Sequence, residues 1–130
     1  QEAVSMVPPL CLEVRPWHSV LDLCAAPGSK TSQMLEMLHW EDAGERDPPA
    51  GVIVANEIVP KRADVLKHSV QRLGSPCVVV TQLDGQYFPN LTAEDGRPLL
   101  FDRVLCDVPC SGDGTIRKCP TLWGKWSPKE

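Results

Sequence analysis

The chain predicts an α/β fold built on a parallel sheet, and three observations carry that prediction. Short apolar runs rich in branched residues alternate with longer segments whose apolar residues recur three or four apart. The order is strand, helix, strand, helix, strand, loop, strand, the alternation that yields a parallel sheet with right-handed crossovers. The unusual small and acidic residues fall directly after the strand-like runs, where ligands collect in such sheets.

Residues 18–24 read as a short buried strand that ends in small residues, and a turn follows at Ala25-Ala26-Pro27-Gly28. A helix is expected over 30–39, where Met34, Leu35 and Leu38 share one face. Residues 41–50 hold Gly44, Pro48 and Pro49 among charges and read as a surface loop. The run 51–56, GVIVAN, is too short for a helix and reads as a strand buried on both faces. Pro60 suits the first turn of the next helix, where its missing N–H costs nothing. Ala63, Leu66, Val70 and Leu73 make that helix's inner face, Lys61, Arg62, Lys67 and Arg72 its outer face or flank, and Gly74 its cap. Residues 77–82 and 101–107 are the third and fourth strands, separated by a polar stretch, 84–97, with little regular pattern.

Composition narrows the function. Hydrophobic residues make up 42% and charged residues 23% of the 130, the balance of a globular protein of at most one domain. The apolar runs fall far short of the roughly 20 residues that cross a bilayer, so no membrane insertion is expected. Six cysteines would suit a disulfide scaffold, but Cys24, Cys77 and Cys106 sit in or beside apolar strands and read as buried free thiols of a reducing, intracellular compartment. Nothing separates nucleus from cytoplasm. No pair has Cys-x-x-Cys spacing, so no metal is expected. Asn90-Leu91-Thr92 is a chance glycosylation sequon on this reading. Gln1 in place of Met, and Glu130 just after Ser127-Pro128, read as cuts through a longer protein.

A net charge of -4 argues against a general phosphate-binding protein. Residues 111–130 nevertheless hold Arg117, Lys118, Lys125 and Lys129 against Asp113 and Glu130. With Trp123 and Trp126, that stretch is either an RNA contact or a solvated loop with two packing tryptophans.

Cys24-Ala25-Ala26-Pro27-Gly28-Ser29-Lys30 places small side chains before a helix N-terminus, which lets a ligand approach the backbone. Glu57 follows the second strand, Asp84 the third, and Asp107 ends the fourth. A carboxylate after the second strand can accept from both hydroxyls of a ribose. The P-loop pattern fails twice, because Ser29 separates Gly28 from Lys30 and Leu23 stands where the first glycine belongs. The dinucleotide pattern G-x-G-x-x-G is absent as well. A nucleoside without pyrophosphate is therefore expected, with S-adenosylmethionine the obvious candidate. Asp107-Val108-Pro109-Cys110 sets a carboxylate beside a thiol, suited to a flat ring and to proton transfer.

LDLCAAPGSKT, ANEIVPKR, the Asp of TQLDG and DRVLCDVPCSGDGTIRK together resemble the Sun-type RNA (cytosine-5) methyltransferases, in particular the eukaryotic tRNA members. QEAVSMVPP also resembles the segment leading into that family's catalytic core, and the likeness is weakest over 41–50 and 87–100. The resemblance implies part of a Rossmann-like class I methyltransferase fold, about four of seven strands, with 1–130 the cofactor-binding half. It implies that Cys24, Ala25, Ala26, Pro27, Gly28, Ser29 and Lys30 line the methionine part of S-adenosylmethionine, Glu57 binds the ribose, and Asp84 lies by the adenine. Arg62 matches a basic position of the second motif. Asp107 borders cofactor and target base, and Asp107 and Cys110 are the catalytic residues of this stretch. Glu57 departs from the family's usual Asp and reaches about one methylene further.

In the family the attacking cysteine lies in a later Thr-Cys motif, and the Pro-Cys cysteine, here Cys110, assists release of the product. The chain has no Thr-Cys pair, so the isolated chain is expected to be inactive, its partner being RNA, in particular tRNA. An open sheet edge is expected to take a further segment or a second chain. The rival class is a non-catalytic module that holds cofactor or RNA. A DNA cytosine-5 methyltransferase would use Cys110 as nucleophile, but those enzymes carry a Phe-x-Gly-x-Gly loop where this chain has CAAPGSK.

Overall fold

The computed structural model describes residues 2–40 and 49–127. Its elements are α1 (Ala3–Cys11), β1 (Ser19–Asp22), α2 (Ser29–Leu38), β2 (Val52–Asn56), α3 (Pro60–Gln71), β3 (Val78–Thr81), β4 (Leu91–Thr92), β5 (Pro98–Leu99) and β6 (Arg103–Leu105). Short 3-10 turns lie at Gly85–Tyr87, Asp113–Thr115 and Pro120–Gly124. The surface loop read at 41–50 falls mostly outside the described residues.

β1, β2, β3 and β6 form one parallel sheet in the order β3-β2-β1-β6, with Val20 opposite both Ile53 and Arg103. The crossovers from β1 to β2 and from β2 to β3 step the same way. Right-handed crossovers that step the same way put their helices on one face. The burial pattern agrees: Val20, Ile53 and Leu105 pack with Met34, Leu35 and Leu38 of α2, and Ala55 packs with Leu66 and Val70 of α3.

The other face is largely uncovered among the described residues, and this corrects two expectations. β2 is not buried on both faces: Ile53 and Ala55 are buried, while Val52 and Val54 are half-buried. Cys106 does not point into the core. Leu105 takes the covered side, so the next residue turns to the open one and is exposed. Cys77 is buried and Cys24 half-buried, and all six cysteines are free thiols.

α3 starts at Pro60 as expected, but it ends at Gln71, so Leu73 lies past the helix and is exposed rather than on its inner face. The C-cap is Arg72, and Gly74, at φ +64, lies two residues past it with its N–H donating to Gln71 O (3.1 Å). The stretch 84–97 is more regular than its composition suggests, for β4 pairs antiparallel with β5 and Phe88 stacks edge-on against Phe101. α1 was not foreseen. It holds Pro8 and Pro9 internally and is tied to α2 by the Gln33 amide, which donates to the Met6 carbonyl (2.9 Å).

Candidate active site at the sheet's switch point

β1 has β2 on one side and β6 on the other, so the chain leaves its carboxyl end in one direction and later returns on the opposite flank. The loops after β1 and β6 diverge there, and ligands bind in the crevice this opens. A cavity of about 240 Å³ occupies that place, lined by Asp22, Cys24, Ala25, Ala26, Pro27, Ser29 and Lys30 from β1, its loop and α2, by Asp107 after β6, and by Ser5 of α1.

The loop is built from backbone geometry. Gly28 N–H donates to Ala25 O (2.8 Å), closing a turn with a cis peptide before Pro27, and Ala25 N–H donates to Asn56 O (2.8 Å), fastening the turn to β2. Gly28 has φ +104, and a Cβ there would lie 3.0 Å from Leu66 Cδ1 and from Ser69 Cβ. Only glycine permits this conformation and this approach of the loop to α3. α2 then begins without a side-chain cap, leaving N–H groups of its first turn available beside the cavity.

Asn56 holds the strand ends in register. Its amide donates to Leu23 O (3.1 Å) and Leu83 O (2.9 Å), while its oxygen accepts from Thr81 Oγ1 and Leu83 N–H, both at 2.9 Å. One buried side chain thus joins the ends of β1, β2 and β3.

Two acids face the cavity in different surroundings. Asp107, half exposed, pairs with Lys30 (Nζ to Oδ2, 2.6 Å). Asp22 is buried and accepts from Thr31 Oγ1 (2.7 Å). Burial raises its pKa to about 6; the Thr31 hydrogen bond and the Lys30 charge oppose this rise, and the Asp107 charge adds to it. The Cys24 thiol is pushed above its ordinary range by burial first, then by Glu57, Cys106 and Asp22, with Arg62 acting the other way. A thiol so held stays protonated and is a poor nucleophile.

Glu57 sits just past β2 and is 2% exposed. Its Oε1 accepts from Val59 N–H (3.0 Å), whereas among the described residues Oε2 has no hydrogen-bond partner, with the Arg62 guanidinium 3.5 Å away. Arg62 also donates to Ala26 O (2.9 Å), so it braces the loop. A buried carboxylate oxygen with unfilled capacity fits a ligand that brings hydroxyl donors. Asp84 caps the 3-10 turn, accepting from Gln86 N–H (2.9 Å).

The structure therefore gathers Cys24, Ala25, Ala26, Pro27, Ser29, Lys30 and Asp107 around one cavity. Gly28, Glu57 and Arg62 stand behind or beside it, Asp84 is not in its lining but follows β3, and Cys110 is exposed outside its lining. Sequence reasoning missed Asp22, Thr31 and Ser5. The signal for Asp22 was a lone carboxylate inside the apolar run VLDLC. Among the described residues no cluster of His, Cys, Asp and Glu could hold a metal ion.

The family model described as 16S rRNA methyltransferase RsmB/F matches residues 9–130. The chain belongs to the RsmB/F family. RsmB/F relatives include a tRNA (cytosine(34)-C(5))-methyltransferase of Drosophila melanogaster, 53% identical over 98% of this chain and 17% of the relative. A multisite-specific tRNA:(cytosine-C(5))-methyltransferase of Saccharomyces cerevisiae is 48% identical over 98% of this chain and 19% of its own length. The crystal structure of NSun6 from Pyrococcus horikoshii with SFG is 27% identical, with TM-score 0.65, over 86% of this chain and 25% of that one. The chain thus spans about a fifth of the curated RsmB/F relatives it matches. The expected family of RNA cytosine-5 methyltransferases and the partial Rossmann-like class I fold both hold.

Proposed function

We propose that this chain is the cofactor-binding half of the methyltransferase domain of an enzyme that methylates C5 of cytosine in RNA, tRNA in particular, using S-adenosylmethionine. The observation that carries the reading is the cavity at the switch point, with the small-residue loop on one side and Asp107 on the other, joined by the Lys30 ion pair.

When bound, S-adenosylmethionine supplies an electrophilic methyl group. Cys24, Ala25, Ala26, Pro27, Gly28, Ser29 and Lys30 hold its methionine end, Glu57 its ribose and Asp84 its adenine. Glu57 Oε2 is the acceptor with capacity to spare, and Arg62 steadies both Glu57 and Ala26. Cytosine C5 is a weak nucleophile until a thiolate adds to C6, after which C5 takes the methyl group, gives up its proton, and the thiolate leaves. Asp107 faces the N3 side of the ring and steadies the adduct. The attacking thiol belongs to a Thr-Cys motif that this chain lacks, and Cys110 assists release.

Two experiments test this. Titration calorimetry should show S-adenosylmethionine binding to the chain, lost in the Glu57→Ala/Asp84→Ala variant while circular dichroism is kept; unchanged binding removes the assignment. In the full-length protein, Cys110→Ala should still trap a covalent RNA adduct on a denaturing gel and accumulate it. No adduct would favour Cys110 itself as attacker, the DNA-type chemistry.

A second reading has one observation in its favour, the missing Thr-Cys pair. On that reading the isolated chain binds cofactor or RNA without turnover. Incubation with radiolabelled S-adenosylmethionine and total tRNA should leave cytosine unlabelled. Label above a Cys110→Ala control would show a complete catalyst.

A further inference from the structure

The segment after Cys110 takes no part in the cavity, yet it folds on itself and an ion pair ties it to α1. Gly112, at φ +76, opens the 3-10 turn Asp113–Thr115, and a Cβ on it would lie 3.8 Å from Leu122 Cδ1. The second turn, Pro120–Gly124, therefore folds back onto the turn that follows Cys110. Lys118 pairs with Glu2 (2.6 Å) at the N-cap of α1, the helix whose Ser5 lines the cavity.

On this anchored segment Leu122 and Ile116 are half-buried, whereas Trp123 is 75% and Trp126 is 48% exposed. The two tryptophans stand three residues apart. Trp123 lies in the 3-10 turn and Trp126 just past it, but Trp126 N–H donates to Leu122 O (2.9 Å), closing one more helical turn, and residues three apart in such a turn are neighbours roughly 6 Å apart. Stacked bases are spaced about 3.4 Å along a strand, so two stacking distances come close to that gap. Arg117 and Lys125 lie on the same segment, both exposed and neither in an ion pair among the described residues. Trp123 is the more open of the two, while about half of Trp126 is covered.

We propose that Trp123 and Trp126, with Arg117 and Lys125, form a stacking platform for a nucleotide of single-stranded RNA beside the target cytosine. The proposal rests on the RNA-methylating reading of the same site and adds the surface that holds the strand. Aromatic faces bind bases with little regard to sequence, and the two cations of the segment meet the phosphates. The platform therefore supplies affinity near the site and leaves the choice of cytosine to other contacts. A protein segment lying over the tryptophans is the competing occupant.

The test uses the full-length protein and a short single-stranded RNA containing cytosine. RNA should quench tryptophan fluorescence. Trp123→Ala/Trp126→Ala should weaken RNA binding by roughly tenfold or more, raising KM for RNA with kcat far less affected and S-adenosylmethionine affinity unchanged. Trp123→Phe/Trp126→Phe should restore most of it. Arg117→Gln/Lys125→Gln should lower the steepness of log K against log salt by about 1.4, roughly 0.7 per phosphate contact on a single strand. The fluorescence titration reads the platform even if no methyl transfer is seen, which separates this proposal from the enzymatic one. Unchanged RNA affinity in the alanine variant overturns it. A joint fall in thermal stability and cofactor affinity also overturns it, because the tryptophans would then be packing positions.

Discussion

Lys30 Nζ and Asp107 Oδ2 stand 2.6 Å apart across the cavity, joining the loop after β1 to the strand end of β6, 77 residues later in the chain. Both charges also act on buried Asp22, one lowering its pKa and the other raising it. The three groups form one electrostatic unit at the base of the site.

Opposite shifts should follow from removing each partner. Lys30→Met should move the Asp22 titration above its value of about 6, and Asp107→Asn should move it below. Carboxylate chemical shifts followed against pH read both, and shifts in the same direction would dissolve the unit. Because Asp107 is half exposed, the pair itself contributes at most about 1 kcal/mol to stability, so thermal melts should change little.

Asp22 makes stability depend on pH with a definite sign. Its folded pKa of about 6 lies above the ordinary 3.8, so the folded state holds the proton more tightly than the unfolded one. The contribution is fully present below pH 4 and is lost as pH rises through 6. Asp22→Asn keeps an acceptor for Thr31 and removes the charge. It should be more stable than the parent at pH 7, by up to about 3 kcal/mol, with the gap closing near pH 4. Urea melts across that range decide it.

Gly28→Ala should destabilise the chain by about 1–3 kcal/mol. The new methyl group would meet Leu66 and Ser69 at 3.0 Å in a backbone conformation that favours glycine. Denaturant titration measures this, and a neutral result would show that the loop can lift from α3.

Much of the fold was readable because the covered face of the sheet repeats a simple pattern: Val20, Ile53 and Ala55 sit in short branched runs, and Met34, Leu35 and Leu38 recur at helical spacing. Strand-end placement alone located Lys30 and Asp107. What escaped had no periodic signal. α1 carries two prolines and exposes Val4, Val7 and Leu10, so neither composition nor an apolar stripe marked it. Leu73 was misplaced because it lies past the end of its helix, and Cys106 because its side of the strand is the open one, which an apolar run does not reveal. Asp22 was read as part of a strand, since burial of a carboxylate depends on a partner, Thr31, that only the fold brings near.

The amide of Asn56 has no spare capacity: two protons meet two carbonyls, and two lone pairs meet two donors. Its chemistry is therefore also a route of ageing. Hydrolytic loss of ammonia, the lesion that makes asparagine thermolabile, would replace the donor nitrogen with oxygen and set it against the carbonyls of Leu23 and Leu83. Each opposed pair costs about 1–3 kcal/mol. One slow reaction on a single side chain, less than one dalton of added mass, would loosen three strand ends together and let the site drift apart while the core beneath it stayed folded.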